Sequence, residues 1–326
     1  MGTVTITDVA REAGVSIKSV SRVLNNERHV REALRARVLA AVKALDYKPN
    51  PSARALAGSR SYLIALYVND ASTAYAGQLA SGALKACRNL GYHLMIEQLS
   101  APEFRALQDS VRVDGIILTP PLCDDRELLE VLEAKGAPVV RIAPAPDPRR
   151  ELAGSVYIDD WQAGYDMTAY LQGLGHRKIA FIAGLASHAA AAQRCEGYRA
   201  AMDAAGMAIQ PDWIQDGDLT FRSGVDAGER LIAGSNRPTA IFAGTDDMAL
   251  GVMAVAHRWR LEVPDDLSIV GFDDSPGAQV VRPQLTTVRQ PVAEMASVAA
   301  EMLIKARPGD EAAEPSRRLD FELVIR

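Results

Sequence analysis

Apolar positions recur along this chain with two different periods, and the switch between them divides it. In the first fifty residues the period is helical. Ile6, Val9, Ala10 and Ala13 fall at three- and four-residue spacing, then Val20, Val23 and Leu24, then Leu34, Val38, Val42 and Leu45. Thr5 with Asp8 three positions on has the form of a capping box, Ser16 can cap the second helix, and Gly14 permits a tight turn between the two. The spacing predicts three short helices, the third over about 32–46. From residue 61 onward, short apolar runs alternate with helical stretches. The candidate strands are Tyr62–Val68, His93–Glu97, Gly115–Thr119, Pro138–Ile142, Val156–Ile158, Lys178–Ala183, Ala240–Ala243 and Ser268–Phe272. Strands separated by helix-length segments mean βαβ units and parallel sheets, and the length allows two of them. A first passage between lobes is expected near Asp159, and the return near LTTV at 285–288.

Charge sharpens the division. The chain of 326 residues has a net charge of −5, but residues 1–60 hold eleven Lys and Arg against five acids, leaving 25 bases and 36 acids for the rest. A basic head of +6 on an acidic body of −11 suits a head that meets a polyanion. In the second predicted helix Val20, Val23 and Leu24 share one face, while Ile17, Lys18, Ser21, Arg22 and Asn25 share the other. Two short helices joined by a glycine turn, the second with a basic outer face, describe a helix-turn-helix whose second helix enters the major groove. Arg22 can fork onto guanine O6 and N7, and Ile17 can meet a thymine methyl.

Between head and body, Asn50-Pro51 opens a short helical stretch that Gly58 ends. About seven residues are too few for a helix to stand alone, so this segment should fold only against a partner. Its alanines allow two copies to approach closely, and Leu56 is its one large apolar side chain.

The blocks TITDVAREAGVSIKSVSRVLN and LDYKPNPSARALAG, with GHRKIAFIAG, TDDMALG and DLSIVGFDD further on, resemble the lactose/galactose-repressor family along nearly the whole chain. The resemblance implies an all-α helix-turn-helix head plus an α/β body of two parallel-sheet lobes similar to a periplasmic sugar-binding protein. The expected domains are 1–49 (DNA binding), 50–60 (hinge helix and linker) and 61–326 (effector binding and dimerisation). It implies that Ile17, Lys18 and Arg22 read bases, that Thr5, Ser16, Ser21, Asn25 and His29 hold phosphates, and that Asn50, Ala53, Arg54 and Leu56 contact the duplex at the hinge. Leu56 would act as a wedge between central base pairs. The expected partners are double-stranded operator DNA, a small-molecule effector and a second copy of the chain. Arg31 stands where the family has a capping serine for the third helix.

Ligands of open parallel sheets sit beyond the carboxyl ends of the strands. The candidates assigned there are Tyr75, Arg194, Thr245 and Asp273, with Phe221 and Leu219 on the wall. An aromatic face can stack on a pyranose, an arginine fork can donate to vicinal hydroxyls, and a carboxylate can accept from a pair of them. Arg194 and Asp273 match family effector positions, while Thr245 stands where many relatives have asparagine. A sugar is the favoured effector, with a purine or carboxylate as the alternative. Trp161 has no role that the sequence decides. Asp159, Asp160, Asp246, Asp247 and Asp274 are spaced as strand and helix edges rather than as an oxygen cage, so no metal and no cofactor are expected.

Other classes fit less well. No G-x-G-x-x-G follows the first strand, and no P-loop or G-x-S-x-G occurs, so the chain is not expected to be an enzyme. The cysteines Cys87, Cys123 and Cys195 are odd in number and scattered, matching reduced thiols. The start, MGTVTITDVA, has no basic-then-apolar signal, and no run of eighteen apolar residues occurs, so a cytoplasmic location without membrane insertion is expected. No leucine heptads follow LVIR, so a dimer is the expected assembly.

Overall fold

The computed structural model describes residues 4–24, 30–47, 60–99, 111–145, 154–185, 187–306 and 316–326. Asn25, His29, Asn50, Ala53, Arg54 and Leu56, and with them the hinge helix, lie outside the described residues. The chain divides into two compact units, Met1–Tyr62 and Leu63–Arg326.

The head contains α1 (Ile6–Glu12), α2 (Ile17–Leu24) and α3 (Glu32–Ala44). Asp8 accepts from both the backbone N–H and the hydroxyl of Thr5, which fixes the first turn of α1. Gly14 takes a left-handed φ of 59°, turning the chain sharply into α2. Ser16 then accepts from the Ser19 N–H and so caps α2. Val9, Ala10, Ala13, Val20, Val23, Val38 and Ala41 form one buried cluster, to which Leu34, Val42 and Leu45 add their partly buried side chains. Arg31 precedes α3 and gives it no side-chain cap.

In the body the elements run β1 (Leu63–Val68), α4 (Ala74–Asn89), β2 (His93–Gln98), β3 (Gly115–Leu118), α5 (Arg126–Ala134), β4 (Val139–Ile142), β5 (Gly154–Tyr157), α6 (Asp160–Gly173), β6 (Ile179–Ala183), α7 (Ala189–Ala204), β7 (Ile214–Asp216), α8 (Phe221–Ala233), β8 (Ala240–Ala243), α9 (Asp246–Arg258), β9 (Ser268–Phe272), α10 (Pro276–Val280), β10 (Thr286–Arg289), α11 (Val292–Lys305), β11 (Ser316–Arg318) and β12 (Glu322–Val324). One sheet has the order β2-β1-β3-β4-β5-β11, the other β7-β6-β8-β9-β10-β12. Every pairing is parallel except that of β10 with β12. The strands expected from the pattern appear at or within two residues of their expected bounds.

The first passage between lobes falls at Ile158 and Asp159, where it was expected, and the return falls just beyond LTTV: Thr286–Arg289 is strand β10 of the second sheet, and the chain leaves that lobe at Gln290 and Pro291 to form α11, which packs on α4 in the first lobe. A third passage, 319–321, joins β11 of the first sheet to β12 of the second. Both strands are three residues long, too short for an alternation to show, which is why no pattern announces them. Each lobe is therefore finished by residues from the last tenth of the chain.

Helix pairs approach closely at glycines. A Cβ at Gly82 of α4 would lie 1.8 Å from the Ala293 carbonyl oxygen of α11. A Cβ at Gly164 of α6 would lie 2.3 Å from the Arg194 carbonyl oxygen, and one at Gly197 of α7 2.0 Å from that of Trp161. Among the described residues no helix is long and apolar enough to cross a membrane.

Gly82→Ala should force α4 and α11 apart and cost roughly 1–3 kcal/mol, the range for overpacking a tight contact. Denaturant unfolding should show a lower midpoint with an unchanged slope, whereas Gly173→Ala, with open space at its Cβ, should leave the midpoint in place.

Candidate functional site

The second helix of the head presents its polar face to solvent. Ser16, Ile17 and Lys18 are exposed at its start, and Ser21 and Arg22 lie half-buried one turn on, above buried Val20 and Val23. Ile17 is a large apolar side chain left open to solvent on a helix whose other apolar residues are sheltered. Thr5 is exposed at the start of α1. These five positions of one short element, with Thr5, form a polar and basic surface.

The second site lies where the two lobes of the body meet. Tyr75 stands in the first turn of α4, in the first lobe. Its phenol is pushed well above its ordinary pKa by burial, with the Asp273 carboxylate adding to the rise and Arg194 opposing it. A first-lobe aromatic and two charged groups of the second lobe are thus within electrostatic reach of one another. Thr245 caps α9, accepting from the Met248 N–H at 3.3 Å, and neighbours Gly244, which receives a bond from Arg194. Phe221 opens α8 beyond the carboxyl end of β7, half exposed, while Leu219 packs on the second-lobe core.

Arg194 does not sit at a strand end as its sequence position suggested. It lies inside α7, and its side chain is held on three sides. Nε donates to Asp160 Oδ1 at 2.8 Å, an Nη1 N–H donates to the Gly244 carbonyl at 2.9 Å, and the guanidinium carbon lies 3.6 Å from the centre of the Phe272 ring. Both side chains of the ion pair are at most 5% exposed. A cation over an aromatic face in a dry site gains further from the ring quadrupole. The direct ionic partner of Arg194 is Asp160, at the first passage between lobes, and not Asp273.

Asp273 follows β9 directly, with a positive φ of 118°. Its carboxyl accepts from Gln290 Nε2 at 2.5 Å, and burial, opposed by Arg194 and helped by Asp246, raises it to about 7. The next residue goes the other way. Burial acts to raise Asp274, but Arg326 and Arg289 outweigh it and hold it below the usual range. Asp246, raised to about 6 by burial, accepts from Thr287 Oγ1 and the Ser275 N–H, both at 2.6 Å, and so pins the loop that carries Asp273. A Cβ at Gly271 would come within 2.3 Å of that carboxyl.

Sequence reasoning passed over three contributors. Asp160 was weighed only as a metal ligand, and its charge belongs to Arg194. Gln290, at the second passage, is buried, with its Oε1 unpartnered. His188 caps α7 through Nδ1, and burial, aided by Arg194, lowers it to about 4, so it is neutral at physiological pH. Asp159 caps α6 and pairs at 3.6 Å with Arg318. Four of the five aspartates that invited a metal reading, Asp159, Asp160, Asp246 and Asp274, are thus engaged in capping, hydrogen-bonding and pairing contacts.

A helix-turn-helix head and a two-lobed body with a polar cleft define a bacterial regulator that carries a DNA-reading part and a small-molecule-binding part in one chain. Residues 5–50 match the family described as "Bacterial regulatory proteins, lacI family", and residues 168–326 the "Periplasmic binding protein-like domain". The chain belongs to the lacI family of bacterial regulatory proteins. It is 37% identical over 308 residues to catabolite control protein A of Priestia megaterium, covering 93% of this chain and 92% of that one. Its structure is similar to that of the transcriptional regulator CelR in complex with cellobiose (TM-score 0.76, 31% identity, 99% of each chain). It also resembles the lac repressor dimer bound to operator and an anti-inducer (TM-score 0.80, 29% identity, 100% and 98%).

The raised carboxyls have a pH signature. An unfolded aspartate titrates near 3.9 and Asp273 near 7, so between these values the folded body holds a proton that the unfolded chain releases. That stability is present at low pH and lost as pH rises through about 7. His188 acts oppositely and lower, losing stability as pH falls from about 6.5 towards 4. Above about pH 6 the carboxyl effect should therefore dominate. The melting temperature should fall between about pH 6 and 8, and Asp273→Asn should flatten that fall. An unchanged slope in the variant would show that Asp273 is not the titrating group.

Proposed function

We propose that this chain is a cytoplasmic transcriptional repressor that binds a palindromic operator as a homodimer and answers to a neutral sugar or glycoside; it is not an enzyme. The observation that carries the reading is the meeting of Tyr75, Arg194 and Asp273 at the junction of two parallel-sheet lobes, in a chain whose head exposes Ile17 and Lys18 on a helix-turn-helix. The donors and acceptors suit vicinal hydroxyls, and Tyr75 supplies a face for the C–H side of a ring. In this reading Ile17, Lys18 and Arg22 read bases. Thr5, Ser16, Ser21, Asn25 and His29 hold phosphates, and Asn50, Ala53, Arg54 and Leu56 act at the hinge. Thr245 and Phe221 complete the effector wall. The solved relatives bound to cellobiose and to operator support the pairing of roles. For the dimer, Leu84 on α4 and Ile96 on the edge strand β2 leave apolar surface open to a second copy.

The DNA half of the proposal predicts that Arg22→Ala lowers operator affinity by roughly 1–3 kcal/mol and relaxes preference at one guanine per half-site, the half-sites lying about one helical turn apart. Selection from a random pool is the measurement, and full retained selectivity would remove Arg22 from the groove. The effector half needs a variant chosen with the ion pair in view, because Arg194→Ala strands a buried Asp160. Asp160→Asn with Arg194→Gln removes both charges together. That double variant should lose stabilisation by the sugar that binds the parent protein, while operator binding by the head is retained. For the parent, a ligand at 100 times its Kd adds about 2.7 kcal/mol. A double variant that binds the sugar at parental affinity would place the effector elsewhere.

A further inference from the structure

We propose that Asp160 sets the charge class of the effector: by occupying Arg194 it makes the cleft accept uncharged polyols and refuse anions. The inference rests on the reading of this cleft as the effector site and adds to it the group that decides which ligands are excluded. An arginine beside a polar cleft would ordinarily welcome a carboxylate or phosphate, since its paired N–H groups match an oxyanion. Here that fork is already engaged. Nε is bonded to the Asp160 carboxylate, an Nη1 N–H to the Gly244 carbonyl, and one face of the guanidinium is covered by Phe272. The N–H groups that remain can still serve a hydroxyl, but the charge is balanced.

The surroundings add to the effect. The charged groups acting on Tyr75 and Asp273 include Arg194 on the positive side and, on the negative, Asp160, Asp246, Asp247 and, for Tyr75, Asp273 itself. His188, next to Arg194, is neutral. An entering anion would meet a cation already neutralised by Asp160 and, as pH rises through about 7, the Asp273 carboxylate as well, whose repulsion in so dry a site is weakly screened. Burial pushes the Asp160 carboxyl up, and Arg194, together with its place at the first position of α6 where the helix N-terminus favours an anion, acts against that rise. The pair is held in register by the backbone contact between α6 and α7 at Gly164.

The test uses anions of two kinds on the full chain: sodium glucuronate, a sugar with one carboxylate, and inorganic phosphate. Each is compared with chloride at equal ionic strength by thermal shift and by calorimetric titration. Wild type should gain nothing from either anion. Asp160→Asn, which keeps an oxygen for Arg194 Nε, and Asp160→Ser, which is smaller, should both be stabilised, binding glucuronate at least about tenfold more tightly than wild type. Adding Arg194→Gln should abolish the gain, showing that the anion sits on that guanidinium; circular dichroism and retained operator binding report the fold. Three results overturn the proposal: anion stabilisation of wild type, which needs no variant to be seen; no gain in either neutral variant; or a gain that survives loss of Arg194. A parallel panel of neutral sugars on wild type tests the effector reading separately. If none binds while the anion gain appears in the variants, the sugar reading fails and the charge gate stands.

Discussion

The buried pair of Arg194 and Asp160 is the contact around which the cleft is arranged. Two ions taken out of water cost several kcal/mol each after relaxation, and mutual attraction offsets this only with good geometry and further hydrogen bonds. Those conditions are met here by the 2.8 Å bond, the Gly244 carbonyl and the Phe272 ring. The geometry in turn requires α6 and α7 to lie almost backbone to backbone, which glycine at 164 and 197 permits. Asp160 is also where the chain has just entered the second lobe, so the pair fixes the end of one connecting strand against the helix that carries the principal cleft donor. The second connection has a similar contact in Gln290 with Asp273. Residues at two of the passages between lobes are thereby hydrogen-bonded to residues that face the cleft. A molecule that competed for Arg194 or Asp273 would change what holds the connections, and so would interact differently with two arrangements of the lobes.

The head works by a simpler rule. Its core is a handful of small and medium apolar side chains from three short helices, and none of the three would be stable alone. Packing them together leaves Ile17 and Lys18 exposed on the outer face of α2, with half-buried Arg22 one turn on. The fold is in effect a mount that fixes the angle of a surface helix.

Much of this was legible in the sequence because it depends on period. The three head helices, eight of the nine described strands of four or more residues and the division into a basic head and an α/β body follow from spacing and charge, and the family motifs span nearly the whole chain. What could not be read depends on meetings between distant residues. Asp160 and Arg194 are each polar positions in helical patterns, and nothing local says that one is buried against the other. Arg194 was assigned to a strand end, whereas it lies within α7, eleven residues after β6 ends. Gln290 has no sequence signal of any kind. β7, β11 and β12 are three residues each, too short for alternation to show, and β10 went unread as a strand although the return crossing was expected beside it.

The exchange of chain between lobes has a consequence for how the body is made. The first lobe needs α11 and β11, and the second needs β10 and β12, so neither sheet has its full set of strands until the last stretch has been synthesised. The amino-terminal half emerging from a ribosome is a parallel sheet whose β5 edge has not yet met β11, and whose α4 waits for a helix more than two hundred residues away. Long-range parallel pairing of this kind closes slowly and leaves apolar surface open meanwhile. The head, by contrast, contains only local contacts and can be complete while the body is still being translated. Assembly is therefore ordered in time, with the DNA-reading part finished first and the part that controls it finished last.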